Sequence, residues 1–266
     1  LQHLFSVWPE VAQRLKAARG VLLFSDYDGT LTPIVDRPEL ADLPAETRRL
    51  LRALAHRHRF TVGIISGRAL SDLKHRVGIE SIVYAGNHGL EIEGPGISFI
   101  NPLAEEMKPV LRLIHQALSK ALATVRGSLV EDKGLSLSVH YRRVEEKEVE
   151  KAKTIFERIL HVPRLSGMIK VTSGKKVHEV RPAVDWDKGK AIKLLMRRYG
   201  KGGRRSGLLP IYLGDDLTDE DGFRAIERYG DGLTVFVGGE NDSTVARYFL
   251  RSPHDVERFL SMLLDL

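Results

Sequence analysis

Five apolar runs constrain this chain more than any other feature. VLLFSDYDGT (21–30), FTVGIISGR (60–68), SIVYAGNHG (81–89), LLPIYLGDD (208–216) and LTVFVGG (233–239) each pass from partly β-branched hydrophobics into polar or glycine-rich residues. A strand with one wet face alternates; a run that is apolar throughout reads as a strand covered on both faces, as in a parallel sheet. Helical patterns lie between the runs. Residues 44–58 gather Leu50, Leu51, Leu54 and Ala55 on one side behind Pro44, and 188–199 and 219–229 read likewise. Strand alternating with helix predicts an α/β, doubly wound core with a mostly parallel sheet.

From Pro102 to about Lys176 the rhythm changes to helix, hairpin, helix, hairpin. Val110, Leu111, Ile114, Leu118 and Leu122 mark one helix, and Val149, Ala152, Phe156, Ile159 and Leu160 another. In LSLSVHYR (135–142), Leu135, Leu137, Val139 and Tyr141 face one way and Ser136, Ser138, His140 and Arg142 the other. That predicts an antiparallel sheet with one wet face. Asp132-Lys133-Gly134 and Ser173-Gly174-Lys175 supply the turns. The expectation is a smaller α+β domain of αββαββ order at 102–176, inserted into a core formed by 1–101 and 177–266. A chain of 266 residues suits that division.

Composition narrows the function classes. No run approaches the roughly 18 apolar residues of a membrane span, and LQHLFSVWPEVAQRL at the start has helical spacing rather than a signal-peptide pattern. Phe5, Val7 and Trp8 there are read as helix packing. The chain does not open on Met, so it is expected to be trimmed or cut from a longer one. With no cysteine there is no thiolate metal site and no thiol nucleophile, and a cytoplasmic setting is expected. The net charge of +6 is spread among acidic residues, apart from Lys201 to Arg205 in a glycine-rich loop. That pattern favours a small anionic substrate over nucleic acid.

Chemistry gathers where the strands end. The first run leads into Asp26-Tyr27-Asp28-Gly29-Thr30, and the fourth into Gly214-Asp215-Asp216 with Asp219, Glu220 and Asp221 behind it. In open α/β sheets ligands bind beyond the carboxyl ends of strands. Carboxylates crowded there repel one another unless a hard cation joins them, and Mg2+ shared with a phosphate suits that donor set. An acidic turn capping the next helix would show the same residues, and Asp219 is the one best placed for that task. Ser66-Gly67-Arg68 offers a hydroxyl, an amide and a guanidinium, and Lys188 of Asp187-Lys188-Gly189-Lys190 opens a helix. Singly, these are also what a helix cap and a solvated lysine look like; together, in this order, they are specific.

The four segments DYDGTL, ISGR, DKGK and GDDLTDED resemble the four motifs of the haloacid dehalogenase superfamily. The resemblance implies Asp26 as the nucleophile that takes a phosphoryl group, and Asp28 as general acid and then base. It implies Ser66 and Lys188 as the groups holding the phosphoryl, and Gly67 and Arg68 beside them are expected to bind substrate. Asp26, the Asp28 backbone carbonyl and Asp215 would hold Mg2+, with Asp216 and Asp219 supporting them from behind.

A second resemblance covers nearly the whole chain, from about Leu22 to Val237. VEDKGLSLSVHYR and HEVRP, with AGNHGLE and GDDLTDED, are similar to trehalose-6-phosphate phosphatases. It implies that the inserted domain is a cap binding sugar hydroxyls through Glu131, Lys133, Arg142, Lys176 and Glu179. Asn87 and His88 are expected near the same cavity. His140 is either a substrate ligand or a sheet residue bonded to a neighbour, and the second reading is preferred. Trp186 either shields the lysine or fills a gap. The implied activity is Mg2+-dependent hydrolysis of trehalose 6-phosphate. Another sugar-phosphate ester, such as mannosyl- or glucosyl-3-phosphoglycerate, and a catalytically silent sugar-phosphate-binding module stay open. A trehalose-6-phosphate synthase is an admissible partner, no nucleic acid or membrane is expected, and the oligomeric state is left open.

Overall fold

A computed structural model describes residues 1–35, 37–174, 176–200, 207–240 and 242–266. The basic cluster Lys201 to Arg205, and Lys175 of the second expected turn, lie outside the described residues. The chain divides into two compact units, Leu1–Phe99 with Trp186–Leu266, and Ile100–Asp185.

The larger unit opens with β1 (Gln2–His3), a 3-10 turn and α1 (Trp8–Ala17). Strand and helix then alternate through β2 (Gly20–Ser25), α2 (Ala45–Ala55), β3 (Phe60–Ile65), α3 (Leu70–Val77) and β4 (Val83–Gly86). β5 (Glu91–Gly94) runs antiparallel to β4, and β6 (Ile97–Ile100) follows. The smaller unit supplies α4 (Pro102–Glu106), α5 (Lys108–Leu122), β7 (Leu129–Asp132), β8 (Leu137–His140), α6 (Glu146–Leu165), β9 (Ile169–Gly174) and β10 (Val177–Pro182). The larger unit resumes with α7 (Lys188–Tyr199), β11 (Leu208–Gly214), α8 (Glu220–Tyr229), β12 (Leu233–Val237), β13 (Tyr248–Leu250) and α9 (Pro253–Leu264).

Its sheet has the order β1-β13-β12-β11-β2-β3-β4-β5-β6, parallel from β1 through to β4. Both faces are covered, which is why its central strands are apolar throughout. On β2, Val21 and Leu23 join the core formed with α1, α2, α3 and α9, and Leu22 and Phe24 join the one formed with α7 and α8. At one margin, Phe99 stacks on Trp186 with ring centroids 5.2 Å apart, and the Trp186 indole donates to the Gly89 carbonyl at 2.8 Å. Trp186 thus fills a gap where the chain re-enters this unit.

In the smaller unit the strands run in the order β7-β8-β10-β9, each pair antiparallel. Leu111, Ile114 and Leu118 of α5 and Val149, Phe156 and Leu160 of α6 pack on Leu137, Val139 and Val180. The boundary expected at 176 falls inside this sheet, because β10 pairs with β8 on one side and β9 on the other. The expected wet face is also dry at its centre: Ser136 and Ser138 are buried. Ser138 lies in register between Glu131 and Glu179, whose longer side chains flank it.

Adjacent positions on α5 give a stability test. Ile114 is 5% exposed and Leu113 67%. Ile114→Ala should cost about 2–5 kcal/mol in denaturant unfolding, and Leu113→Ala within about 0.5 kcal/mol of nothing. Equal losses would show that α5 presents a different face to the sheet.

Candidate active site

Three neighbouring parallel strands bring the expected residues to one rim. Ser25 at the end of β2 is in register with Leu213 of β11 and Ile64 of β3. Asp26, Asp215 and Ser66 therefore lie just past three adjacent carboxyl ends, and the Asp26 amide donates to the Leu213 carbonyl at 2.8 Å. Gly29, at φ +84°, lets the backbone pass against Asp215: a Cβ there would lie 2.0 Å from Asp215 Oδ2. Thr30 Oγ1 donates to Asp215 Oδ1 at 3.0 Å.

Lys188 joins the two acidic clusters. It is the first residue of α7, whose N-cap Asp187 accepts from the Lys190 amide at 2.8 Å. Its side chain is 2% exposed, and Nζ donates to Asp26 Oδ1 at 2.9 Å and to Asp219 Oδ1 at 2.7 Å. The turn of α7 is held close to α8, since a Cβ on Gly189 would meet the Asp221 carbonyl at 2.3 Å.

Asp219 is the most heavily bonded carboxylate here. Oδ1 also accepts from the buried Tyr212 hydroxyl, and Oδ2 accepts from the amides of Asp215 and Asp216 at 3.0 and 3.1 Å. Capping is shared in the 3-10 turn Leu217–Asp219 that leads into α8: its N-cap Asp216 accepts from the Thr218 and Asp219 amides, while Asp219 accepts from the Asp216 amide.

Burial, and then the charges around them, shift these groups in opposite senses. Burial raises Asp26 well above the carboxylate range, against the pull of Lys188. Burial, then Asp219 and Asp216, raise Asp215 to about 7. Asp219 is raised by burial although Lys188 opposes it. Burial would raise Asp216 too, but Lys188 and the Thr218 hydrogen bonds bring it below its usual value. Burial works to lower Lys188, and Asp219 and Asp26 override it, so the ammonium stays charged.

Asp26, Asp215 and Asp219 each offer one oxygen within 4.8 Å of the others. Once ionised, three carboxylates with one ammonium carry an excess of negative charge, and an oxygen-only donor set beside the Gly29 approach fits a divalent cation. Both Asp219 oxygens already accept two hydrogen bonds each, so Asp26 and Asp215 carry the capacity for it. The Asp28 carboxylate lies elsewhere, with both oxygens on the Arg68 guanidinium at 2.6 and 2.7 Å.

The second expected motif forms a tight knot. Ser66 is buried, its amide bonds the Ala85 carbonyl at 2.9 Å and its Oγ accepts from the Arg68 amide at 3.2 Å. The His88 ring lies against Gly67, where a Cβ would fall 2.8 Å from Nε2. Asn87 and His88 both adopt positive φ, 49° and 57°, and the Asn87 side chain donates through Nδ2 to Glu91 Oε1 at 2.7 Å. Asn87 is wholly buried and His88 nearly so.

In the smaller unit, Glu131, Ser138 and Glu179 share one row across β7, β8 and β10. Lys133 Nζ lies 3.6 Å and Arg181 Nε 3.5 Å from the Glu179 carboxylate. His140 Nε2 is 2.9 Å from Glu131 Oε2, the sheet-neighbour bond preferred for it. Arg142 and Lys176 fall in turns beyond the strands; Lys176 is exposed at φ 61°.

Sequence reasoning passed over Tyr212, Asp72 and Arg181. Tyr212 sits in an apolar run and reads as core; only its hydroxyl gives it a second use. Asp72 stands four residues after Arg68, a helix spacing that could have signalled the pair. Arg181 follows Glu179 by two, on the same strand face.

The sequence model of the trehalose-phosphatase family matches residues 24–254. The chain is 36% identical to trehalose 6-phosphate phosphatase RA3 of Zea mays, over 94% of this chain and 72% of that protein. The solved C-terminal domain of a Candida albicans trehalose-6-phosphate phosphatase superposes with a TM-score of 0.81, at 27% identity, covering 97% of this chain and 96% of that one. A haloacid dehalogenase-like hydrolase from Bacteroides thetaiotaomicron shares the fold at 17% identity and a TM-score of 0.62, over 92% of this chain and 99% of that one. A phosphatase fold with its acidic residues at the expected strand ends, and a match over most of its length, make this chain a member of the trehalose-phosphatase family.

Proposed function

We propose that this phosphatase hydrolyses trehalose 6-phosphate through a phospho-aspartate on Asp26, with Mg2+ as its cation. The observation that carries the reading is the buried Lys188 ammonium bridging Asp26 and Asp219 beside Asp215 and Ser66. An Asp26 oxygen attacks phosphorus, and the bond from phosphorus to the sugar oxygen breaks. Asp28 gives a proton to that leaving oxygen. Water then attacks the aspartyl phosphate, Asp28 takes the proton, and Asp26 leaves as a carboxylate. Splitting the hydrolysis in two lowers each barrier. Lys188 and the Ser66 hydroxyl meet charge gathering on the phosphoryl oxygens, the dominant contribution in this chemistry.

Asp26, the Asp28 carbonyl and Asp215 would hold Mg2+, with Asp216 and Asp219 fixing the loop behind them. When bound, the cation neutralises charge on the phosphoryl oxygens. The Glu131, Lys133 and Glu179 group, with Arg142 and Lys176 in the turns beyond His140 and Val177, is assigned to the sugar hydroxyls. Charged hydrogen bonds to hydroxyls are selective because a wrong ligand leaves them unmet. A cytoplasmic setting accords with a chain without cysteine, and among the described residues no helix is long and apolar enough to cross a membrane.

Phosphate release across a panel of esters tests the substrate. Trehalose 6-phosphate should give the highest kcat/KM; turnover of a glycosyl-phosphoglycerate with none of trehalose 6-phosphate would replace it. Asp26→Asn should lose about 10³-fold or more of kcat. A wild type that never turns over would make the chain a binding module. Glu131→Gln and Glu179→Gln should each raise KM for trehalose 6-phosphate about tenfold or more, the worth of one charged hydrogen bond. Unchanged KM in both would remove them from the sugar site.

The raised carboxyls predict a pH-dependent metal effect. Asp26 and Asp215 hold protons in the folded, cation-free protein that the unfolded chain has already lost. Stability therefore falls as pH rises from the ordinary carboxylate range through about 7. A divalent cation replaces those protons, so Mg2+ should raise Tm more at pH 8 than at pH 6. An equal shift at both values would contradict this ligand set.

A further inference from the structure

The Arg68 side chain is built into a ladder of alternating charge. Nε and Nη2 fork onto the two oxygens of Asp28 at 2.7 and 2.6 Å, and Nη1 reaches Asp72 Oδ2 at 2.8 Å. Asp72, in the first turn of α3, is held in turn by Arg76 Nε at 2.9 and 3.0 Å. The guanidinium lies 5.3 Å from the centre of the Tyr27 ring, and the Tyr27 hydroxyl is tied to the Ala41 carbonyl at 2.8 Å. Arg68 is 10% exposed and Asp28 41%. The open end of the ladder is therefore the Asp28 carboxyl, and everything behind it is fixed.

A half-exposed aspartate on a turn would otherwise sample several rotamers. A two-armed guanidinium pair removes that freedom, and a lysine has no equivalent fork. We propose that Arg68 is a positioning residue for proton transfer: it holds Asp28 where its carboxyl meets the leaving oxygen, and Asp72 holds Arg68 in place. This rests on Asp28 being the proton carrier. As the bond from Asp26 to phosphorus forms and the bond to the sugar oxygen breaks, the proton passes from Asp28 to that oxygen. Arg68 neither gives a proton nor bonds phosphorus. With one Asp28 oxygen protonated, the other arm of the fork still anchors the carboxyl.

Such a role depends on the leaving group. A sugar alkoxide needs the proton, whereas p-nitrophenolate departs without one. The test compares kcat/KM, which ends at leaving-group departure, for trehalose 6-phosphate and p-nitrophenyl phosphate in the Mg2+-loaded protein. Arg68→Met should lose about 100-fold on the sugar ester, the range of a general acid, and at least tenfold less on the aryl ester. Arg68→Lys should behave as Arg68→Met does, and adding Arg68→Met to Asp28→Ala should cost little more than Asp28→Ala alone. Equal losses on both esters would mean that the guanidinium grips the phosphoryl group or only supports the fold. That result, no loss on either ester, or fully additive losses in the double variant would overturn the proposal. If Arg68→Met does not fold, Asp72→Asn loosens the ladder while leaving the fork present. A smaller loss with the same preference is expected there, and an unselective or absent one overturns it. Should the wild type cleave a different sugar phosphate, the assigned substrate fails while the same comparison on that alkyl ester still decides Arg68.

Discussion

The site depends on one buried ion cluster, the Lys188 ammonium between Asp26 and Asp219. Placing a charge this deep is costly unless partners surround it, and removing one partner leaves the others uncompensated. Every nearby element serves that arrangement. β2 and β11 must be neighbours for the aspartates to meet, α7 must begin at Lys188, and Gly189 must let α7 approach Asp221. Tyr212 and two loop amides complete Asp219, so the lysine is aimed by a carboxylate that is itself immobilised.

The same geometry separates two aspartates that stand two residues apart. Asp26 is buried against Lys188; Asp28 is half-exposed and paired with Arg68. Each therefore has its own cation, the Lys188 ammonium for Asp26 and the Arg68 guanidinium for Asp28. The end of β2 at Ser25 supplies the difference, because the chain leaves the strand there and turns, so the two carboxylates meet different partners.

Much of this was legible in the sequence because strand ends and helix starts are marked by local residues. The five apolar runs became β2, β3, β4, β11 and β12, and the helix over 188–199 has those bounds. Asp26, Ser66, Lys188 and Asp215 each follow such a mark. What stayed hidden depends on long-range pairing. Arg68 meets Asp28 across 40 positions, and nothing local says whether a guanidinium will face a phosphate or an aspartate. β10 could not be assigned to the smaller unit before its two neighbours were known. The buried serines were missed for a related reason, since period-two alternation tells which face a residue is on but not what covers that face. Short strands such as β1 at the sheet edge and β13 beside it hold too few residues for any period to show.

The central claim is that Asp26 carries the phosphoryl group. Reacting the Mg2+-loaded protein briefly with trehalose 6-phosphate, quenching in acid and mapping the peptides by mass spectrometry tests it directly. A phosphoryl adduct on Asp26, absent from Asp28 and lost on longer reaction, is the predicted result. Release of phosphate with no adduct on Asp26 at any time, or an adduct on another residue, would contradict it.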